Sequence, residues 1–279
     1  MGKHEGGLRV NGINKESFKD RPLISIITVI YNAKNHIEKT INSVLDQTYD
    51  SIEYIIVDGG STDGSLEIIK KYDGSIDYWI SEKDKGIYDA MNKGLFLAKG
   101  SWIGMLNAGD TYYKDAIETI ANTLRDDTNA GVIYADINYK IYDIIIRIKS
   151  PAKLSLSQFW KMPIYHPAMF VSKNTFEKYG GFSIEYSLAS DYELLLRLFK
   201  KGVKCLYIGT VLTEMESGGA SSKKYKKGLE ELYAVAKSHH IVDFNFLLKY
   251  RVNFIKTILT QKCFKSKLAT KFYKSYKNA

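Results

Sequence analysis

"SIEYIIVDGGSTDGS", residues 51–65, decides the fold. Its first half is an unbroken run of apolar and β-branched residues, the pattern of a strand buried on both faces. The run breaks at Asp58 into a glycine-rich turn, and "SLEIIKKY" then begins a helix. Just upstream, "PLISIITVIYN" is another such strand, started by Pro22 and ended at Asn32. Between the two lies "HIEKTINSVLDQ", with Ile37, Ile41, Val44 and Leu45 at helical spacing. Strand, helix, strand, helix demands crossover connections and so a parallel sheet.

Downstream the alternation continues. "IDYWISE" reads as a third strand, "GIYDAMNKGLFLAKG" as a helix closed by Gly100, and "SWIGMLNAGD" as a fourth strand that runs into a polar corner. "YYKDAIETIANTLRD" is a helix, while "AGVIYADINY" and "DIIIRIKS" form two strands fit for a hairpin. After Pro151 the pattern loosens until "DYELLLRLFKKG" gives an amphipathic helix and "KCLYIGTVLTEM" a late strand. No internal repeat is visible.

Ligands of open α/β sheets bind beyond the carboxyl ends of the strands. Asp58, the acidic segment Glu82–Asp84 and Asp110 each follow a strand, so three acidic loops are expected to share one crevice. Each has an ordinary explanation beside a functional one. "VDGGSTDGS" is a turn and helix cap, or a nucleotide grip that fits neither the P-loop nor the Gly-x-Gly-x-x-Gly spacing. "EKDKGIYDAMNKG" is a charged helix start, or a place where Lys85 meets phosphate, with Asp89 and Asn92 on one face. Asp110 in "LNAGD" is a helix N-cap, or a carboxylate for a hard divalent cation shared with substrate phosphates. Asp191 opens a helix as a cap or first-turn acid, or serves as a general base. His166 in "IYHPAMFVS" is a packing residue or a catalyst.

These elements, in this order, resemble the family 2 inverting glycosyltransferases of GT-A fold. The resemblance rests on "SIITVIYN", "VDGGSTDGS", "DKGIYDAMNKG", "LNAGD", "HPAMFVSK" and "SDYELLLRL", and runs from about Pro22 to Gly219. It is nearest in pattern to enzymes of bacterial O-antigen, capsule and exopolysaccharide assembly. It implies a mostly parallel, Rossmann-like nucleotide-binding sheet flanked by helices, with Tyr31, Asp58, Asp63, Lys85, Asp89 and Asn107 on a UDP-sugar. Asp110 matches the last carboxylate of the family's Asp-x-Asp motif and would hold Mn²⁺ or Mg²⁺. Asp191 matches the base, and His166 falls in the acceptor region. Two positions depart from the family pattern: Asn107 and Gly109 leave Asp110 as the corner's one carboxylate, and Ser190 stands where many members carry an acid.

The implied reaction moves a hexose, Glc or Gal or an N-acetyl form, to an undecaprenyl-diphosphate-linked sugar with a β-glycoside as product. The chain-wide features fit an enzyme of this kind. At 279 residues, with 45% hydrophobic and 25% charged residues, the chain can bury a large core. No apolar run reaches the length of a membrane span, the start lacks a secretory signal, and two distant cysteines suit a reducing cytosol. The net charge of +9 is concentrated in the tail: from Lys223 onward there are fourteen Lys or Arg against Glu230, Glu231 and Asp243.

The expected organisation is a loose segment 1–20, a catalytic domain 21–219 and a basic amphipathic helical region 220–279. In the last, Leu248, Val252, Ile255 and Leu259 share a face with Lys249, Arg251, Lys256 and Lys262 nearby. That helix either packs on the catalytic domain or lies on the anionic inner leaflet, making the protein peripheral on the cytoplasmic face. Two rival functions are weaker. A sugar nucleotidyltransferase needs a glycine-rich basic loop that "YNAKNHIEK" lacks, and a nucleic-acid-binding tail lacks any recognisable motif, so no nucleic acid partner is expected.

Overall fold

The computed structural model describes residues 2–18, 20–126, 129–219 and 223–265, with side chains as far as residue 258. The first half contains β1 (His4–Gly6), β2 (Ile24–Ile30), α1 (Ile37–Leu45), β3 (Ile52–Asp58), α2 (Ser65–Lys71), β4 (Tyr78–Ser81), α3 (Ile87–Leu97) and β5 (Trp102–Met105). Then come β6 (Thr111–Tyr112), α4 (Ala116–Arg125), the hairpin of β7 (Val132–Ile141) and β8 (Ile144–Ile148), β9 (Met169–Ser172) and α5 (Lys173–Tyr179). The chain continues through α6 (Ser190–Lys200), β10 (Cys205–Glu216), α7 (Tyr225–Ser238) and α8 (Phe244–Lys265).

All the sheet's strands except β8 run in the order β1-β4-β3-β2-β5-β9-β7-β10-β6, and β8 pairs with β7. The strands β4, β3, β2 and β5 are mutually parallel, as the alternating pattern requires. Beyond β5 the sheet is mixed, because β9 runs antiparallel to both β5 and β7, and β6 antiparallel to β10. The expectation of a mostly parallel sheet is thus corrected: β9 is reached through residues 149–168, which contain only 3₁₀ turns and no crossover α-helix to reverse the chain.

Helices cover both faces of the sheet. On one side Ile27, Val29, Ile55 and Val57 meet α3, α6 and α7 through Met91, Leu194, Leu195, Leu198, Leu232 and Val235. On the other, Ile24, Ile26 and Ile56 meet α1, α2 and α4 through Ile37, Ile41, Ile69, Ile117 and Ile120. β2 and β3 are buried along their whole length, which explains why neither alternates in sequence. Gly94 brings α3 tight onto β2, since a Cβ there would sit 2.4 Å from Ile27 Cγ2.

The expectation about the start of the chain needs correction. The segment before residue 21 is not loose throughout: β1 pairs with β4 and closes that edge, and Arg9 forms an ion pair with the buried Glu53. Glu53 also accepts from Ser25 Oγ at 2.5 Å and Lys99 N at 2.7 Å, so its charge is matched only with Arg9 in place. At the other end, α7 joins the core, and Glu231 accepts from Ser187 Oγ, Leu188 N and Ala189 N.

The tail helix is not amphipathic in the expected sense. Its packed side is Phe246, Tyr250 and Phe254, with Tyr250 against Tyr233 of α7, whereas Leu248, Val252 and Ile255 are exposed. Leu259 and Lys262 lie outside the described side chains.

Removing one partner of a buried ion pair strands the other charge. Arg9→Ala should therefore lower unfolding free energy by about 3 kcal/mol in urea titration, although Arg9 lies outside the strands of the sheet.

Candidate functional site

The register of the parallel strands brings the acidic loops together. Asp58 lies level with Ile30 of β2 and Ser81 of β4, and β5 continues beside β2 into residues 106–110. All these loops therefore open on the carboxyl edge, as expected.

The first two loops are stitched to each other. Asn32, in a left-handed conformation with φ 50°, accepts from Thr62 N at 2.9 Å and donates its own N–H to Ser61 Oγ at 2.8 Å. Asp63 accepts from Lys34 N at 3.0 Å and from Ser65 Oγ at 2.6 Å, so it joins both turns. Tyr31 projects from this seam with 66% of its surface exposed, a free aromatic face at the end of β2. Asp58 is fully buried and accepts from Ser61 Oγ and Ser81 Oγ, each at 2.5 Å. It holds the shape of the loop.

Lys85 and Asp89 sit at the start of α3, where Lys85 N donates to Asp89 Oδ2 at 3.0 Å. Asn92, one turn on, grips the backbone of Phe182 through both amide atoms. Glu82 pairs with Lys93 at 2.8 Å, so this part of the acidic segment is neutralised locally.

The "LNAGD" corner is clamped from α1. Thr40 Oγ1 donates to Asp110 O at 2.8 Å and accepts from Gly109 N at 2.9 Å, with Gly109 at φ +106°, a conformation that favours glycine. Asp110 caps no helix. The helix that follows begins after Asp115, and the Asp110 side chain instead accepts from Glu216 N at 3.3 Å, on the end of β10. Burial pushes its carboxyl up to about 6, against the opposing pull of His166 and Lys39. Glu216 itself is held by Lys39 and lies 3.5 Å from His36, a second wall that the sequence did not single out.

His166 connects this corner to α6. Asn107 Nδ2 lies 2.9 Å from His166 Nε2, and His166 Nδ1 lies 3.5 Å from Asp191 Oδ2. An amide nitrogen only donates, so Nε2 accepts and the ring proton sits on Nδ1, facing the carboxylate. The other Asp191 oxygen accepts from the Tyr88 hydroxyl at 3.2 Å and from Tyr192 N at 2.9 Å. Tyr88 was missed in the sequence because a tyrosine on the apolar stripe of a helix reads as core.

The buried side-chain polar atoms without a partner among the described residues are Asn107 Oδ1, Tyr112 OH and Ser190 Oγ. Asn107 and Tyr112 flank Asp110 in sequence, and Ser190 precedes Asp191. Unsatisfied buried groups are costly, because each bears its desolvation penalty with no partner to offset it.

A family model described as glycosyl transferase family 2 matches residues 25–180, more than half of the chain. The chain belongs to this family. Similar proteins include an uncharacterized glycosyltransferase of Mycobacterium tuberculosis, 29% identical over 73% of this chain and 78% of its own length. A PGL/p-HBAD biosynthesis glycosyltransferase of Mycobacterium bovis is 28% identical over 72% of this chain and 80% of its own. Among solved structures, the mannosyltransferase PcManGT of Pyrobaculum calidifontis, in complex with GDP-Man and Mn²⁺, superposes with TM-score 0.60 at 17% identity, covering 97% of this chain and 85% of that one. Residues 1–349 of S. aureus TarS, in complex with UDP-GlcNAc, give TM-score 0.60 at 16% identity, over 76% of this chain and 66% of that one. Both share the fold with this family 2 glycosyltransferase, whose mixed sheet and flanking helices are consistent with GT-A.

The donor chemistry of the corner suits a hard cation. It offers the Asp110 carboxylate and the orphaned Asn107 amide oxygen, both oxygens, and no group of three or more His, Cys, Asp or Glu able to hold a metal occurs among the described residues. Such a set leaves most coordination positions to phosphate oxygens and water.

The raised carboxyl of Asp110 has a consequence for stability. Its folded value of about 6 lies above the ordinary one, so the fold prefers the protonated acid, and the cost of burying the charge appears as pH rises from about 4 to 6. Asp110→Asn should therefore gain about 2–3 kcal/mol in urea unfolding at pH 7.5 with chelator present, and almost nothing at pH 4.

Proposed function

We propose that this glycosyltransferase is an inverting, metal-dependent hexosyltransferase that takes a UDP-sugar, with Glc or Gal or an N-acetyl form, to a lipid-diphosphate-linked sugar in bacterial surface polysaccharide synthesis. The observation that carries the reading is the link from Asp110 through Asn107 and His166 to Asp191. It supports the reading because the two carboxylates taken here as cation ligand and base stand at the ends of one short polar path.

In this reading Tyr31 offers its exposed ring to the nucleobase, and Asp58 and Asp63 hold the loops around the nucleoside. Lys85, at the start of α3, meets phosphate, and Asp89 and Asn107 complete the donor pocket. Asp110 and the Asn107 amide oxygen would hold Mn²⁺ or Mg²⁺, which when bound offsets the charge of the departing diphosphate. A structural neighbour bound to UDP-GlcNAc and another bound to GDP-Man with Mn²⁺ support the donor class and the metal.

Asp191 Oδ2 takes the proton from an acceptor hydroxyl as that oxygen bonds to C1. The C1–O bond to phosphate breaks with its electron pair leaving on the nucleoside diphosphate. His166, whose Nδ1 lies 3.5 Å from that oxygen, borders the acceptor. A single displacement of an α-linked donor yields a β-glycoside. Asp191→Asn should lose more than about a thousandfold in transfer while binding UDP as tightly as the unaltered chain, measured by UDP release and by calorimetry; full activity would remove Asp191 as base.

The acceptor's lipid places the reaction at the inner leaflet. No helix among the described residues is long and apolar enough to cross a membrane, so contact would be peripheral. Support comes from α8, whose exposed Phe244, Leu248, Val252 and Ile255 recur at helical spacing opposite the packed Phe246 and Tyr250, with exposed Lys249, Arg251 and Lys256 beside them. Cations flanking an outward apolar ridge suit an anionic lipid surface. The double variant Leu248→Glu, Val252→Glu should weaken flotation with phosphatidylglycerol vesicles at least tenfold and leave UDP affinity unchanged; flotation equal to that of the unaltered chain would remove α8 as the contact.

A further inference from the structure

We propose that Tyr88 is the positioning residue for the base: its hydroxyl fixes Asp191 Oδ1, so that Oδ2 alone is presented to the acceptor. The inference rests on the reading of Asp191 as base. The two oxygens of Asp191 have different surroundings. Oδ1 accepts from Tyr88 OH at 3.2 Å and from Tyr192 N at 2.9 Å, while Oδ2 faces His166 Nδ1 at 3.5 Å. A carboxylate held through one oxygen cannot rotate the other away from its target.

Tyr88 is built as a rigid post. It is buried, it projects from the first turn of α3, and its ring stacks on Phe182 with centroids 5.6 Å apart. Phe182 is in turn fixed by the same helix, because Asn92 donates to Phe182 O at 2.8 Å and accepts from Phe182 N at 2.9 Å. Helix α3 therefore grips the segment before α6 at two points one turn apart, and the hydroxyl on this frame reaches across 103 positions of sequence to the carboxylate. Burial, with the Asp191 charge beside it, pushes the Tyr88 phenol well above its ordinary range. It stays a donor at every working pH.

The groups that face Asp191 are Tyr88 from α3, His166 from the 3₁₀ turn before β9, and the Tyr192 amide of α6. Removing a hydrogen-bond donor from a carboxylate disfavours its charged form. Tyr88→Phe keeps the ring and its stacking and removes only the hydroxyl. The Asp191 carboxyl-carbon chemical shift, read at one fixed pH, should then differ from that of the unaltered chain, a measurement by NMR that requires no donor. Where the enzyme hydrolyses UDP-glucose, UDP-galactose or an N-acetyl form with Mn²⁺, kcat should fall about tenfold or more. KM for the donor should be unchanged. Adding Tyr88→Phe to Asp191→Asn should cost nothing further.

An unchanged carboxyl-carbon shift in Tyr88→Phe overturns the proposal, as does a further loss in the double variant equal to that in the single one. An active Asp191→Asn protein sinks the base assignment instead. An inactive Asp191→Asn protein with an unaffected Tyr88→Phe protein sinks only the role of Tyr88.

Discussion

Strand β2 is hydrogen-bonded in parallel to β3 on one side and β5 on the other, and is buried from Ile24 to Ile30. The rest of the working edge depends on that arrangement. Parallel pairing forces each chain segment to leave the sheet at the same end and return by a helix, so the turns after β2, β3, β4 and β5 emerge side by side. A slip of one residue in β2 would turn its isoleucines from one layer to the other and separate Asn32 from Ser61 and Thr62. The loops are ordered because the strand beneath them has no alternative register.

Buried polar groups then connect this edge to the second half of the chain. Thr40 of α1 holds the Asp110 corner, Glu216 of β10 covers it, and Asn107 reaches His166 just ahead of β9. Glu231 of α7 binds the turn at 187–189 that delivers Asp191. The region beyond residue 219 is thus tied to the start of α6 by hydrogen bonds as well as by the packing of Leu232 and Val235.

The strands β2 and β3 and helices α1, α3 and α6 were legible because a continuous β-branched run and a 3.6-residue apolar spacing each have one low-energy solution. β1 was not: "HEG" has no apolar pattern, and its place is set by pairing with β4 and by the ion pair of Arg9 with Glu53. The antiparallel insertion of β9 was hidden for a related reason, since strand direction is a property of the connection and residues 149–168 carry no periodic signal. Asp110 could be placed after a strand but not told from a helix cap, because the acceptor role of its side chain is decided by Glu216, 106 positions away. The tail left two arrangements open in sequence, and aromatic residues decide between them locally: they supply the packing, and the aliphatic stripe points outward.

The departure of this corner from a paired-carboxylate motif follows from the same contacts. Asp110 is already buried, with the charge of Glu216 beside it, and its carboxyl stands near 6 as a result. A second carboxylate at position 107 would add like charge to a desolvated site and raise that cost. It would also change the partner of His166. Asn107 donates through Nδ2 to Nε2, which leaves the imidazole proton on the side of Asp191. A carboxylate at 107 could only accept, so it would draw a proton to Nε2 and compete with Asp191 for the ring. A neutral amide keeps an oxygen donor in the corner and turns the histidine proton toward Asp191, and both tasks require one nitrogen and one oxygen at the end of the same short side chain.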